Sequence, residues 1–265
     1  RTHKPEVSGS IPLPATILMT KYFNNSKLIF TFLIFLIILL TQGYACKYLK
    51  LNFCNYGFFI NVWEENGLIE SMQSLLLVTA IFFLYKARSI YKHVKIIDYF
   101  IIIKILALIY FLGEEISWGQ HFFNWESPDF FENKNNQKET NLHNISNLFD
   151  QLPRTLVLIW CGLIAFCVVF SKRFINLDKK LSVILCPNKK LIYISSIILF
   201  FVLPDLILDK FDFYPGHVDQ FGKEITAAIF YDIVSFNFVR LSELHELLFT
   251  FYFANYAYFL NKKTI

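Results

Sequence analysis

Six apolar stretches, each close to the length a helix needs to cross a bilayer, constrain this chain more than any other feature. They run over about residues 28–45, 68–85, 99–118, 156–170, 191–208 and 244–260. An α-helix rises about 1.5 Å per residue, so roughly 20 apolar residues match a hydrocarbon layer of about 30 Å. Composition agrees: 55% of the 265 residues are AVILMFWYC and 17% are charged, against about 25% charged in a soluble domain. That balance excludes an ordinary soluble enzyme, a disordered chain, a collagen-like fibre and a disulfide-stapled secreted domain. The expected fold is all-α, a polytopic membrane helix bundle of about six transmembrane helices. A seventh segment, 225–240, alternates apolar with polar residues and reads as an interfacial helix.

Positive charge sets the expected orientation. Lys4, Lys21 and Lys27 precede the first stretch; Lys86, Arg88, Lys92 and Lys95 separate the second from the third. Lys172, Arg173, Lys179, Lys180, Lys189 and Lys190 separate the fourth from the fifth, and Lys262 and Lys263 follow the sixth. Six crossings put all of these on one side, so both termini are expected in the cytoplasm of a multi-pass plasma (inner) membrane protein. The net charge of +4 is then a topological signal and gives no reason to expect nucleic acid; the expected partners are membrane lipid and a membrane-protein partner or a second copy. All carboxylates except Glu6, Asp98 and Asp178 fall on the outer loops or the outer halves of the stretches. The first stretch, followed by Gly43-Tyr44-Ala45 and Cys46, has the shape of a retained signal anchor. Residues 1–18 read as a tag, linker or disordered extension, leaving one membrane domain over 19–265. Cys46 and Cys54, both on the outer side, are candidates for a disulfide.

Carboxylates inside apolar stretches need partners or water, because an unpaired charge there costs a few kcal/mol, roughly 3 by insertion scales. Glu70, Gln73 and Ser74 share a helix face at the start of the second stretch. The third ends Gly113-Glu114-Glu115-Ile116-Ser117-Trp118-Gly119-Gln120-His121, and a continued helix would align Glu114, Ser117 and His121 on one stripe. At least one of Glu114 and Glu115 is expected to face inward. Lys104 in the same stretch is expected to snorkel toward the cytoplasm. The outer loop 119–154 is long for a helix connection, which marks it as functional. Its Phe122, Phe123, Trp125, Phe130 and Phe131 suit the headgroup region, and Ser127-Pro128-Asp129 reads as the start of a short helix. Pro204 and Asp205 interrupt the fifth stretch, with Asp205 a plausible inward carboxylate. Arg240, Ser242, Glu243, His245 and Glu246 open the sixth.

The strings Gly113–Gln120 (GEEISWGQ) and 139–144 (ETNLHN) resemble those of an uncharacterised family of bacterial multi-pass membrane proteins, which implies architecture and little chemistry. Ser117 and His121 also resemble the Ser-x-x-x-His element of alkaline ceramidase-type membrane hydrolases. The later His-x-x-x-His pair of that family has no counterpart, since Phe249 stands four residues after His245.

If the outer helix ends converge, their acids meet in one outward-opening cavity and must share protons, pair with a cation or bind one. Glu114, Glu115, Glu70, Glu246 and His143 are the candidate catalytic groups. Trp118, Gln120, Asn141, Asn144 and Arg240 are the candidate substrate contacts. Glu114, His121, Glu243 and His245 offer the donor types of a zinc-like divalent metal site. The favoured reading is a hydrolase or transferase acting on a lipid or lipid-linked substrate. A non-catalytic subunit of a membrane complex and a proton- or ion-coupled transporter remain open beside it.

Overall fold

The structure is a computed structural model that describes residues 25–49, 62–63, 67–123, 125–135, 138–142, 145, 147–171, 179–210 and 239–262. Every regular element among them is helical. The interfacial helix expected at 225–240 falls mostly outside the described residues, as do residues 1–18. The chain divides into two units, Arg1–Lys50 and Leu51–Ile265.

The first unit contributes α1 (Asn25–Tyr44), which continues through a π-helical turn, Ala45–Leu49. The Thr41 hydroxyl donates back to the Ile37 carbonyl at 2.7 Å, so this side chain needs no outside partner in an apolar setting. Cys46 is disulfide-bonded; Cys54 lies outside the described residues.

The second unit begins with α2 (Leu68–Tyr91) and α3 (Lys95–Glu115), antiparallel across a three-residue turn that an Arg88–Asp98 ion pair of 2.8 Å braces. A 3₁₀ turn (Ser117–Gly119) leads to the short helices α4 (Gln120–Phe123) and α5 (Asp129–Lys134). Next, α6 (Asn147–Leu158) runs through a π-helical stretch (Ile159–Ile164) into α7 (Ala165–Ser171). After α8 (Lys179–Leu185) come α9 (Leu191–Lys210) and α10 (Leu241–Lys262).

Helix α10 is the axis of this unit. From Glu243 to Leu260 every residue except Phe253 is buried, the signature of a helix enclosed by others rather than one with a wet face. It packs most extensively on α2. Gln73, in the first turns of α2, bonds the Glu243 carbonyl at 2.9 Å, and Tyr91, at its end, bonds the Leu260 carbonyl at 3.3 Å. Starts and ends therefore coincide, and α2 and α10 run parallel. The opposite faces of the outer helices are apolar and exposed: Leu75, Val78, Phe82 and Tyr85 on α2, and Ile96, Tyr99, Ile103, Leu106 and Ile109 on α3. Surfaces that large and apolar suit lipid rather than water.

Three helical segments, Lys27–Leu49, Leu68–Tyr91 and Lys95–Glu115, are long and apolar enough to cross a membrane, and Leu152–Val168 and Leu191–Pro204 are shorter apolar segments. Two expected boundaries move. The third stretch stops at Glu115, short of 118, because Ser117, Trp118 and Gly119 adopt positive φ values of 46°, 52° and 89°. The fourth starts earlier than 156, at Asn147. Asp150, Gln151 and Arg154 alternate there with Leu148, Phe149 and Leu152, so one polar face lowers the hydropathy of a segment that is nonetheless helical. The short helix expected after Ser127 is present as α5, with Asp129 in its first turn and Pro128 preceding it.

Candidate functional site

The two halves of the GEEISWGQ and ETNLHN strings meet. Where α3 ends, the chain turns back on itself and Trp118 folds over Gly113. A Cβ at Gly113 would lie 2.9 Å from the indole ring, so only glycine admits this turn. The indole Nε1 then donates to Glu114 Oε1 at 2.9 Å, and the Leu142 amide donates to Glu114 Oε2 at 2.6 Å. Ser117 Oγ donates to Glu139 Oε2 at 2.8 Å, which also accepts from Asn141 Nδ2 at 2.8 Å. Asn135 Nδ2 reaches the Glu139 carbonyl and Asn141 Oδ1, and Gln120 joins in by accepting from the Thr140 amide at 2.8 Å and donating to Ser127 Oγ at 3.0 Å. This is a clasp that fastens the loop to the end of α3. Glu114, Ser117, Asn135 and Asn141 are buried within it, with their polar groups matched as buried groups require.

Glu115 points elsewhere. It has no hydrogen bond among the described residues, and Glu246, Glu243, Glu70 and Arg154 all act on its carboxyl electrostatically. Arg154 Nη2 holds Glu246 Oε1 at 2.6 Å, and Arg240 Nε lies 3.6 Å from Glu243 Oε1. Gln73 Nε2 also donates to Glu243 Oε2 at 3.2 Å. Burial removes water from these charges, so the guanidinium partners are what makes the arrangement tolerable.

Arg154 and Glu246 also border a cavity of about 310 Å³. It runs between α2, α3, α6 and α10, with walls that include Leu84, Leu108, Phe111, Val157, Phe249 and Phe253. The volume is about ten times a water molecule's share of the liquid, yet the walls offer water almost no partners. A slot of this kind fits an apolar chain whose polar end meets the ion pair.

The remaining sequence candidates distribute as follows. The stripe of Glu114, Ser117 and His121 does not form, because the positive-φ turn breaks the helix between them. Trp118 and Gln120, expected to contact substrate, belong to the clasp, as does Asn141. Glu70 and Glu243 accompany Glu115; Arg240 pairs with Glu243. His245 is buried on α10. His143 and Asn144 lie outside the described residues, and the side chains of His121 and Asp205 are likewise not described. Among the described residues no three His, Cys, Asp or Glu side chains form a group able to hold a metal ion. Lys104 does not snorkel; its ammonium turns inward. Sequence reasoning missed Arg154. Its signal was available: an arginine on the side poor in positive charge, directly before an apolar run.

The fold and this site define an all-helical protein with helices fit to cross a membrane. No protein-family model, curated protein or solved structure matches the chain.

Proposed function

We propose that the chain is a six-crossing membrane protein with both termini in the cytoplasm, a hydrolase or transferase acting at its extracytoplasmic face on a lipid or lipid-linked substrate. The crossings are α1, α2, α3, the segment from α6 to α7, α9 and α10. The placement of Lys and Arg supports this count, and so does the parallel pairing of α2 and α10, since the second and sixth crossings must run the same way. The observation that carries the reading is the apolar cavity bordered by the Arg154–Glu246 pair, with Glu115 close by.

In this reading the cavity takes a hydrocarbon chain and leaves the polar head at the acids. Arg154 orients a phosphate or carboxylate and keeps Glu246 in place as a fixed negative charge. Glu115, with no hydrogen bond on it among the described residues, is free to accept a proton from an attacking hydroxyl or water, or to return one to the leaving oxygen. No step is assigned to a metal.

The test is turnover in defined vesicles. Protein reconstituted in a total lipid extract of its expression host is expected to change the lipid profile by mass spectrometry, and Glu115→Gln is expected to abolish that change. Equal lipid profiles with wild type, Glu115→Gln and empty vesicles would remove the enzymatic reading.

A further inference from the structure

The cavity has a floor, and the floor is built around a lysine. Lys104 sits in mid-α3, and its Nζ lies 3.4 Å from the Tyr256 ring centroid, 3.7 Å from that of Trp160 and 5.1 Å from that of Phe100. The atom is buried and has no hydrogen-bond partner among the described residues. The rings come from three separate elements and brace one another: Phe100 and Trp160 have centroids 5.5 Å apart, Trp160 and Tyr256 6.2 Å. The Tyr256 hydroxyl donates to the Ile184 carbonyl, which fixes that ring from behind. Ring faces attract an ammonium most strongly when water is absent. The box thus supplies contacts that a lone buried amine inside the helix bundle would otherwise lack.

Its place follows from the lining residues. On α10 the cavity touches Glu246, Phe249, Phe253 and Tyr256, one helix face extending over ten residues, or about 15 Å. Glu246 and Arg154 stand at one end of that face, and Tyr256 with Lys104 at the other. On α3 the same direction runs from Phe111 to Lys104. The slot therefore begins at an ion pair, passes between apolar walls and ends on a caged lysine amine.

We propose that the Lys104 box is the stop that sets which hydrocarbon chain the slot accepts, the occupant being one saturated chain of a phosphate-bearing amphiphile whose head lies at Arg154. This rests on the reading of the cavity as a chain site and adds a length limit to it. A shorter chain leaves the bottom of the slot empty and forfeits the dispersion contacts its missing methylenes would make with the walls. A longer chain must push Nζ off the Tyr256 and Trp160 faces and leave a polar nitrogen in hydrocarbon without compensation. Affinity therefore rises with chain length, peaks, and breaks.

Native mass spectrometry of the protein released from nanodiscs, titrated with saturated lysophosphatidic acids from octanoyl to stearoyl, reads this directly. Wild type is expected to rise with chain length to one optimum and then fall at least tenfold. Lys104→Ala, which removes the stop, is expected to move the optimum to longer chains. As a check on unaltered protein, a lysophosphatidic acid of optimal length with a diazirine at its chain end is expected to label Phe100, Lys104, Trp160 or Tyr256. Absence of saturable binding by any member overturns the chain site itself. Saturable binding with a monotonic rise through stearoyl, or labelling away from the box, overturns only the stop, as does an unmoved optimum in folded Lys104→Ala.

Discussion

Glu114 and Glu115 are neighbours in sequence and opposites in use. Glu114 ends up in a closed polar clasp, 4% exposed, with a donor on each oxygen. Glu115, one residue on and about 100° around the helix, carries no hydrogen bond among the described residues and faces three other carboxylates and Arg154. The comparison teaches that a pair of acids at the end of an apolar helix need not be one feature. A fully satisfied network fixes shape; an acid among like charges holds a proton relationship that can change.

The largest effect should come from breaking the clasp. Glu114→Ala leaves the Trp118 Nε1 and Leu142 amide without an acceptor, and two hydrogen bonds to a charged group are together worth about 3–5 kcal/mol. Thermal unfolding in nanodiscs, followed by tryptophan fluorescence, is expected to show that loss along with a freed loop. A melting temperature unchanged from wild type would mean the clasp is ornamental.

A smaller effect is expected from Arg154→Ala, which strands Glu246. A fully buried pair broken in this way costs about 3–5 kcal/mol, but Arg154 is 30% exposed at its side chain, so about 2 kcal/mol is the expected loss. The double variant Arg154→Ala with Glu246→Gln should recover much of it, because the stranded charge is then gone. Equal instability of single and double variants would show that the ion pair is not the cause.

The smallest change in stability, and of opposite sign, belongs to Glu115→Gln. Relieving repulsion among carboxylates should raise stability by about 1 kcal/mol or less, while the proposed lipid turnover is lost. Destabilisation by as much as Glu114→Ala would erase the contrast between the two neighbours.

Much of this was legible without coordinates. Apolar stretches long enough for a bilayer announced helices, and α2 and α3 contain most of the second and third stretches, with their ends shifted by a few residues. The expectation that Glu70, Glu114 or Glu115, and Glu243 and Glu246 share a site rested on their common place at helix ends, which does not say how Glu114 and Glu115 part. The roles of Trp118, Gln120 and Asn141 were not readable, since a polar residue beside a candidate site looks the same whether it meets a ligand or Glu114. Arg154 was passed over because hydropathy ends the loop at the first apolar residue, whereas α6 begins seven residues before it.

The sequence alone determined the solvent this chain requires and the helical form it takes there, because backbone groups in hydrocarbon must bond within their own segment and only helices made of these residues do so. Tertiary structure alone decided which of two adjacent acids became a fastener and which was left uncommitted. It also decided that Lys104 would turn inward to an aromatic box. These outcomes depend on side chains tens to more than a hundred residues apart in the chain, and no local pattern records which of them will meet.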